Sequence, residues 1–296
     1  MRALRPLIAM TTVAAVGVCG GGEREDQPIT VADVGFRTPE SVLHDPAADV
    51  YLVTNINGDP LEKDGNGFIS RLAPDGSVLA LRWIDGTQEG ITLNAPKGMG
   101  ISGDTLFVAD IDAVRLFDRT SGAPLGSREI TGATFLNDVA VGPDGTVYVT
   151  DSGFGANFEP SGTDALYKFE ADGQATAVAQ GESLGHPNGI SAKTAWIVLV
   201  TSGTGRVFLV ESTSGMAEPL PQPPKGQLDG VCQLDDGSLL LSSWEGQAVF
   251  RMQGGQYSVV VDSVEAPADI GYDAQRNRVL IPLFMADRVE IVPLGD

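Results

Sequence analysis

The sequence predicts an all-β fold, a six-bladed β-propeller whose last blade is closed by an N-terminal strand. Three observations predict it. A polar residue opening a short apolar strand recurs six times, in PES (39–41), PKG (96–98), LND (136–138), PNG (187–189), LDG (228–230) and PAD (267–269). Each copy is followed by a turn and a second apolar strand: YLVTN (51–55), LFVAD (106–110), VYVTD (147–151), VLVTS (198–202), LLLSS (239–243) and VLIPL (279–283). The copies are spaced by 57, 40, 51, 41 and 40 residues, a period of about 46, which is the length of one four-stranded blade.

Residues 1–18, MRALRPLIAMTTVAAVGV, set Arg2 and Arg5 ahead of an apolar stretch of small residues, the form of a bacterial export signal. Cys19 follows at once and opens a glycine-rich, charged tether over 19–28. The expectation is an exported protein, periplasmic or held at the cell envelope by a lipid on Cys19, with plain secretion the other outcome. Val16 fits the lipoprotein pattern; Val18 departs from it, because a small residue is usual there. Lipidation would leave Cys232 as the other cysteine, so no intrachain disulfide is expected. Cys232, in GVCQL, reads as a buried strand residue.

The propeller domain is expected over 29–296. ITVADVGF (29–36) has strand character ahead of the first repeat, while the last repeat shows three strands and then ends. The early segment therefore supplies the missing outer strand and removes an exposed edge. The blades divide at roughly 37–86, 92–131, 132–182, 183–226, 227–263 and 264–296. Asp-Gly turns in APDG (73–76), GPDG (142–145) and LDDG (234–237) punctuate them, with DAQRN (273–277) in the last.

Composition narrows the partners. The chain carries a net charge of −20, which excludes the basic patch that nucleic acid or anionic lipid requires. No apolar run after residue 28 reaches the ~20 residues of a membrane span. A monomer acting on a small molecule is the expectation.

In a propeller the six repeat-opening residues converge on one axis. They are Glu40, Lys97, Asn137, Asn188, Asp229 and Asp269. Three carboxylates, two amides and one ammonium sum to −2, which one divalent cation neutralises. Hard cations take oxygen ligands of this kind. Two loops, 56–67 and 152–164, return to the same face and are long enough to act as lids.

The ordered set PES, LND, PNG and LDG resembles the SMP-30/gluconolactonase family of six-bladed propellers, relatives of the paraoxonases and diisopropylfluorophosphatase. The resemblance covers about residues 29–296. It implies that Glu40, Asn137, Asn188 and Asp229 bind a catalytic divalent ion, calcium first, with manganese, magnesium or zinc as other ions. It implies a hydrolase that opens lactones or related esters, with Asp138 or Asp229 assisting proton removal. Lys97 and Asp269 depart from the family pattern. Three readings of Lys97 stand: a salt bridge to Asp269 bracing the channel, a contact for a substrate anion, or a cation that displaces the metal. Alongside Lys97 and Asp269, His186 and Trp244 are candidate substrate contacts, while His44 reads as a structural residue at a turn. There is no Ser-His-Asp set and no phosphate-cradling glycine loop. The rival function is a non-catalytic, NHL-like propeller acting as a binding or scaffold module at the envelope.

Overall fold

The computed structural model describes residues 27–295. The segment expected to be an export signal, 1–18, Cys19 and the expected tether up to residue 26 lie outside the described residues. The chain forms six sheets of four antiparallel strands. Five are consecutive along the chain, and their innermost strands are Pro39–Asp45, Pro96–Ser102, Leu136–Val141, Pro187–Ser191 and Leu228–Gln233. The sixth contains Gly271–Asp273, Arg278–Leu283 and Arg288–Pro293, and takes its outer strand, Ile29–Val31, from the N-terminal side. The closing strand is antiparallel, with Ile29 opposite Ile291 and Val31 opposite Val289. Helix among the described residues is limited to the 3₁₀ turns Ala156–Phe158 and Glu182–Leu184.

The core lies between blades. Each second strand is buried along most of its length because sheets cover both of its faces. The Asp-Gly turns form as their sequences demand. Gly76, Gly145 and Gly237 have φ of 84°, 85° and 80°, a region where an L side chain is strained. The carboxylates of Asp75, Asp144 and Asp236 each accept a hydrogen bond from the backbone N–H two residues on.

Polar residues at the ends of the second strands anchor the approach to the axis. Asn55 accepts from Arg37 N, Asp110 from Asn94 N and Ala95 N, and Asp151 from Thr134 N and Phe135 N. Each holds the segment that feeds its blade's innermost strand, which is why these apolar strands end in Asn or Asp.

A polar clasp joins blade one to blade six. The Tyr51 hydroxyl donates to Asp273 at 2.6 Å, and the Arg276 guanidinium bridges Asp273 and Asp49. His44 is part of this clasp. It lies inside the strand Pro39–Asp45 rather than at a turn, 3.5 Å from both Asp49 and Asp273. Cys232 is half-buried in its strand, with its thiol toward Ile270 O at 3.1 Å. Burial there pushes the thiol up, so it is a packing group rather than a nucleophile.

Candidate metal centre

The register of the first five innermost strands breaks at the ring residue: between Pro39 and Val42, Pro96 and Met99, Leu136 and Val139, Pro187 and Ile190, and Leu228 and Val231. Such a bulge bends the strand and re-aims its side chain. The backbone N–H it frees needs another partner. Thr54, Thr150 and Ser242 supply hydroxyl acceptors to Ser41 N, Asp138 N and Gly230 N at 2.9, 2.9 and 2.7 Å. That explains the hydroxyl residue next to last in YLVTN, VYVTD and LLLSS.

The residue after the ring position is glycine wherever neighbouring blades press closest. A Cβ on Gly98 would come within 2.1 Å of Asp138 Oδ1, on Gly189 within 2.3 Å of Asp229 O, and on Gly230 within 2.3 Å of Ile270 N. Blade three carries Asp138 at this position instead. Its carboxyl fills the space over Gly98 and accepts from Val139 N at 2.6 Å and Ile190 N at 2.7 Å, stapling blade three to blade four.

All six ring residues are buried. Glu40 Oε2, Asn137 Oδ1, Asn188 Oδ1 and Asp229 Oδ1 are buried side-chain oxygens with no hydrogen-bond partner. Buried polar atoms are nearly always paired, so four orphaned oxygens on one ring make a set that an electrophile would fit. The orientation of Asn137 is over-determined. Ser152 Oγ donates to Pro187 O at 2.5 Å, so it accepts from Asn137 Nδ2 at 3.1 Å, and Asn137 Oδ1 is left facing away. Two carboxylates and two amides fit a hard divalent cation. Among the described residues no group of three His, Cys, Asp or Glu is placed to hold a metal, so zinc has no cluster of its usual ligands.

The electrostatics agree with that fit. Burial, then the Asp229 and Asp269 carboxylates, push Glu40 well above its ordinary value, with the Lys97 ammonium opposing. Burial and Asp269 do the same to Asp229. Burial lifts Asp269 to about 7 even though Ser41 Oγ donates to it at 2.5 Å. Asp138 is raised by burial and by Asp269, against its two backbone hydrogen bonds. Asp138 and Asp269 also line an axial cavity of ≈ 560 Å³. Its other walls, such as His44 and Lys193, come from the far ends of the innermost strands and the turns that follow them, on the side away from the long loops.

The remaining candidates sit around the mouth. Lys97 does not pair with Asp269. Its ammonium donates to Ala95 O at 3.0 Å and to Pro60 O of the first long loop at 3.1 Å, and lies over the Phe135 ring at 4.4 Å. Of the three readings, the salt bridge that would brace the channel does not form; two carbonyls and a ring face solvate the buried ammonium instead. His186 has φ 61° and stacks on Phe154 at 4.3 Å. Its Nδ1 lies 2.7 Å from Ser152 O; a carbonyl only accepts, so Nδ1 donates there. Trp244 packs on Phe284 at 5.2 Å, and its indole N–H faces Asp229 and favours the charged carboxylate, without regular hydrogen-bond geometry.

Two kinds of residue escaped the sequence reading. Ser152 joins Asn137 to the Asn188 blade, yet a serine after a strand carries no signal of its own. Phe154 and Phe158 form an aromatic group with Phe135, and two phenylalanines in an otherwise polar loop were the available sign.

Comparison with known proteins decides the family. The profile of the SMP-30/gluconolactonase/LRE-like region matches residues 73–271. The chain belongs to this family. No curated protein matches it. Among solved structures it is similar to a gluconolactonase from Xanthomonas campestris, with 18% identity and a TM-score of 0.70 over 90% of this chain and 89% of that one. It is similar to a streptogramin B lyase at 10% identity and TM-score 0.66, over 91% and 98% of the two chains. It also resembles a chain of a nidogen/laminin complex at 19% identity and TM-score 0.60, over 81% and 82%. At these identities the likenesses show the propeller fold alone.

SMP-30/gluconolactonase proteins generally bind a divalent metal. In this member Lys97 adds a buried cation beside the ring. Burial lowers its pKa to about 8, against the pull of Glu40, Asp110 and Asp59. The charged ammonium repels a second cation, so Lys97→Met is expected to raise calcium affinity roughly tenfold, ~1.4 kcal/mol. Calorimetric titration at pH 7 checks this. An affinity that drops instead shows that the ammonium holds Glu40 in its ligand geometry.

Proposed function

We propose that this protein is an exported, divalent-metal-dependent hydrolase that opens lactones or related esters, with calcium as its ion. The observation that carries the reading is the set of four orphaned buried oxygens on Glu40, Asn137, Asn188 and Asp229. These residues would hold the ion, which when bound supplies Lewis-acid polarisation of a carbonyl.

The chain's own residues divide the rest. Ser152 fixes the Asn137 amide, and Asp138 locks blades three and four so that Asn137 and Asn188 keep their separation. Both Asp138 oxygens are engaged by backbone N–H groups, which suits positioning rather than proton transfer. Asp229, whose Oδ1 would hold the ion, has a second carboxylate oxygen that no backbone N–H engages, and that oxygen is the better acceptor for a proton from water. Glu40 and Asp229 must lose their protons to act as ligands, and burial raises both, so metal affinity climbs as pH rises above the ordinary carboxylate range.

The second reading, a binding module, draws on Lys97, a built-in cation beside the ring. A panel of aliphatic, aromatic and sugar lactones, assayed with calcium and with EDTA, separates the two. Metal-dependent ring opening of any of them is the expected result. A protein that neither binds divalent ions nor opens a lactone is the binding module.

A further inference from the structure

One position recurs beside the ring without belonging to it. In the first five blades the residue before the ring position pairs with the last residue of the second strand: Pro39 with Asn55, Pro96 with Asp110, Leu136 with Asp151, Pro187 with Thr201 and Leu228 with Ser243. The next residue along therefore lies diagonal to the ring residue of its own blade, within reach of a side chain. Isoleucine fills that place in blades one and two (Ile56, Ile111), serine in blades three and four (Ser152, Ser202), and Trp244 in blade five. Blade three shows what a polar residue does there. Ser152 Oγ accepts from Asn137 Nδ2 at 3.1 Å, which holds the end of the amide that a cation does not take and leaves Oδ1 free.

Trp244 stands in the same relation to Asp229. Its backbone N–H donates to Gln227 O at 3.0 Å and its carbonyl accepts from Gln247 N at 3.2 Å, so the turn after the strand fixes its place. Phe284 packs on the indole at 5.2 Å, and itself packs on Ile56, Ala95 and Ile111. The indole N–H faces Asp229, yet it is buried and unpartnered, as is Asp229 Oδ1. A buried donor without an acceptor is costly unless some state of the protein pairs it. A donor closed to solvent also serves the carboxylate beside it better than it serves a substrate.

From this we infer that Trp244 is a positioning residue of the candidate metal centre: its indole N–H closes on the Asp229 oxygen that the ion does not take, and so turns Oδ1 to the ion as Ser152 turns the Asn137 amide. The inference rests on the metal reading of the ring and names the residue that holds its second carboxylate. One N–H occupies one lone pair of that oxygen and leaves the other for a proton from water. Hydrogen bonds of this kind fix the orientation of a ligating carboxylate, and losing one costs metal affinity about 10–100-fold.

Two measurements test it, and neither needs turnover. In the first, calcium is titrated by calorimetry into the parent, Trp244→Phe and Phe284→Leu. Trp244→Phe keeps a flat ring and loses the N–H, and is expected to bind calcium about tenfold more weakly. Phe284→Leu disturbs the packing against the indole but keeps the N–H, and is expected to hold the parent's affinity. In the second, the indole N–H resonances of isotope-labelled protein are followed by NMR as calcium is added. The chain has three tryptophans, so Trp83→Phe and Trp196→Phe assign the signal of Trp244. That signal is expected to move downfield as the N–H meets the carboxylate, while the other two stay. A calcium-bound protein whose Trp244 signal does not move overturns the inference and leaves the metal reading standing. Equal losses of affinity in Trp244→Phe and Phe284→Leu reduce Trp244 to packing and also overturn it. The downfield shift with the tenfold loss, but no opening of any lactone, upholds Trp244 and removes the hydrolase reading. A parent that binds no divalent ion overturns the metal reading and this inference together.

Discussion

Asp229→Asn is expected to lower calcium affinity at least a hundredfold and to take lactone hydrolysis down with it. The substitution keeps the shape of the side chain and removes one of the two carboxylates whose oxygens stand unpartnered at the mouth. Changing residues that merely support a ligand costs metal sites 10–100-fold, so losing the charge of a direct ligand costs at least as much. The metal-free protein behaves in the opposite sense. Asp229 is buried beside Asp269, and each carboxylate opposes ionisation of its neighbour. An uncharged amide relieves that repulsion, so in EDTA the variant is expected to melt no lower than the parent. In calcium the parent should gain about 2.7 kcal/mol at a hundredfold excess over Kd, a gain the variant lacks. Calorimetric melts with calcium and with EDTA, beside a lactone assay, check both halves. Full activity in Asp229→Asn would place the chemistry elsewhere on the propeller.

Removing residues 27–36 is expected to abolish cooperative unfolding and to make the chain aggregate. Val31 and Phe36 are 4% and 1% exposed, in one cluster with Val42, Tyr51, Leu280 and Ile291, which spans the junction of the first and last blades. The deletion uncovers that cluster and leaves the strand Arg288–Pro293 with an unpaired edge, a template for association between molecules. Phe36→Ala isolates the packing part without touching strand pairing, and large-to-small changes of a buried Phe cost about 3–5 kcal/mol. Urea denaturation followed by fluorescence reads the point variant, and light scattering at increasing protein concentration reads the deletion. A deleted chain as soluble and as cooperative as the parent would show that the ring holds through the remaining contacts of blades one and six, among them Tyr51 and Arg276 on Asp273 and Asp49.

The sequence by itself determined the six blades, the closing strand and the identity of the ring. Repeats are visible because every blade solves the same packing problem: an apolar second strand between two sheets, an Asp-Gly turn, a polar residue where the innermost strand bulges. Glu40, Asn137, Asn188 and Asp229 were legible for that reason, and the structure leaves one oxygen on each of them unpartnered. Tertiary structure alone decided where the non-repeating side chains point. Lys97 occupies a ring position by periodicity, yet its long, flexible stem lets the ammonium choose among several acceptors. It reaches Pro60 O, Ala95 O and the Phe135 face, none of which the repeat specifies. Asp138 follows a ring residue as glycine does in the blades on either side, and only the contact with Gly98 and Ile190 N shows its carboxyl spent on joining blades. The aromatic mouth comes from loops, whose conformation is set by local hydroxyl clamps and strained backbone at Asn157 and Phe158 rather than by any strand period. Periodic features answer to the repeated physics of sheet packing and can be read in one dimension. Side chains at a mouth answer to neighbours brought together by closing the ring, and those neighbours exist only in three.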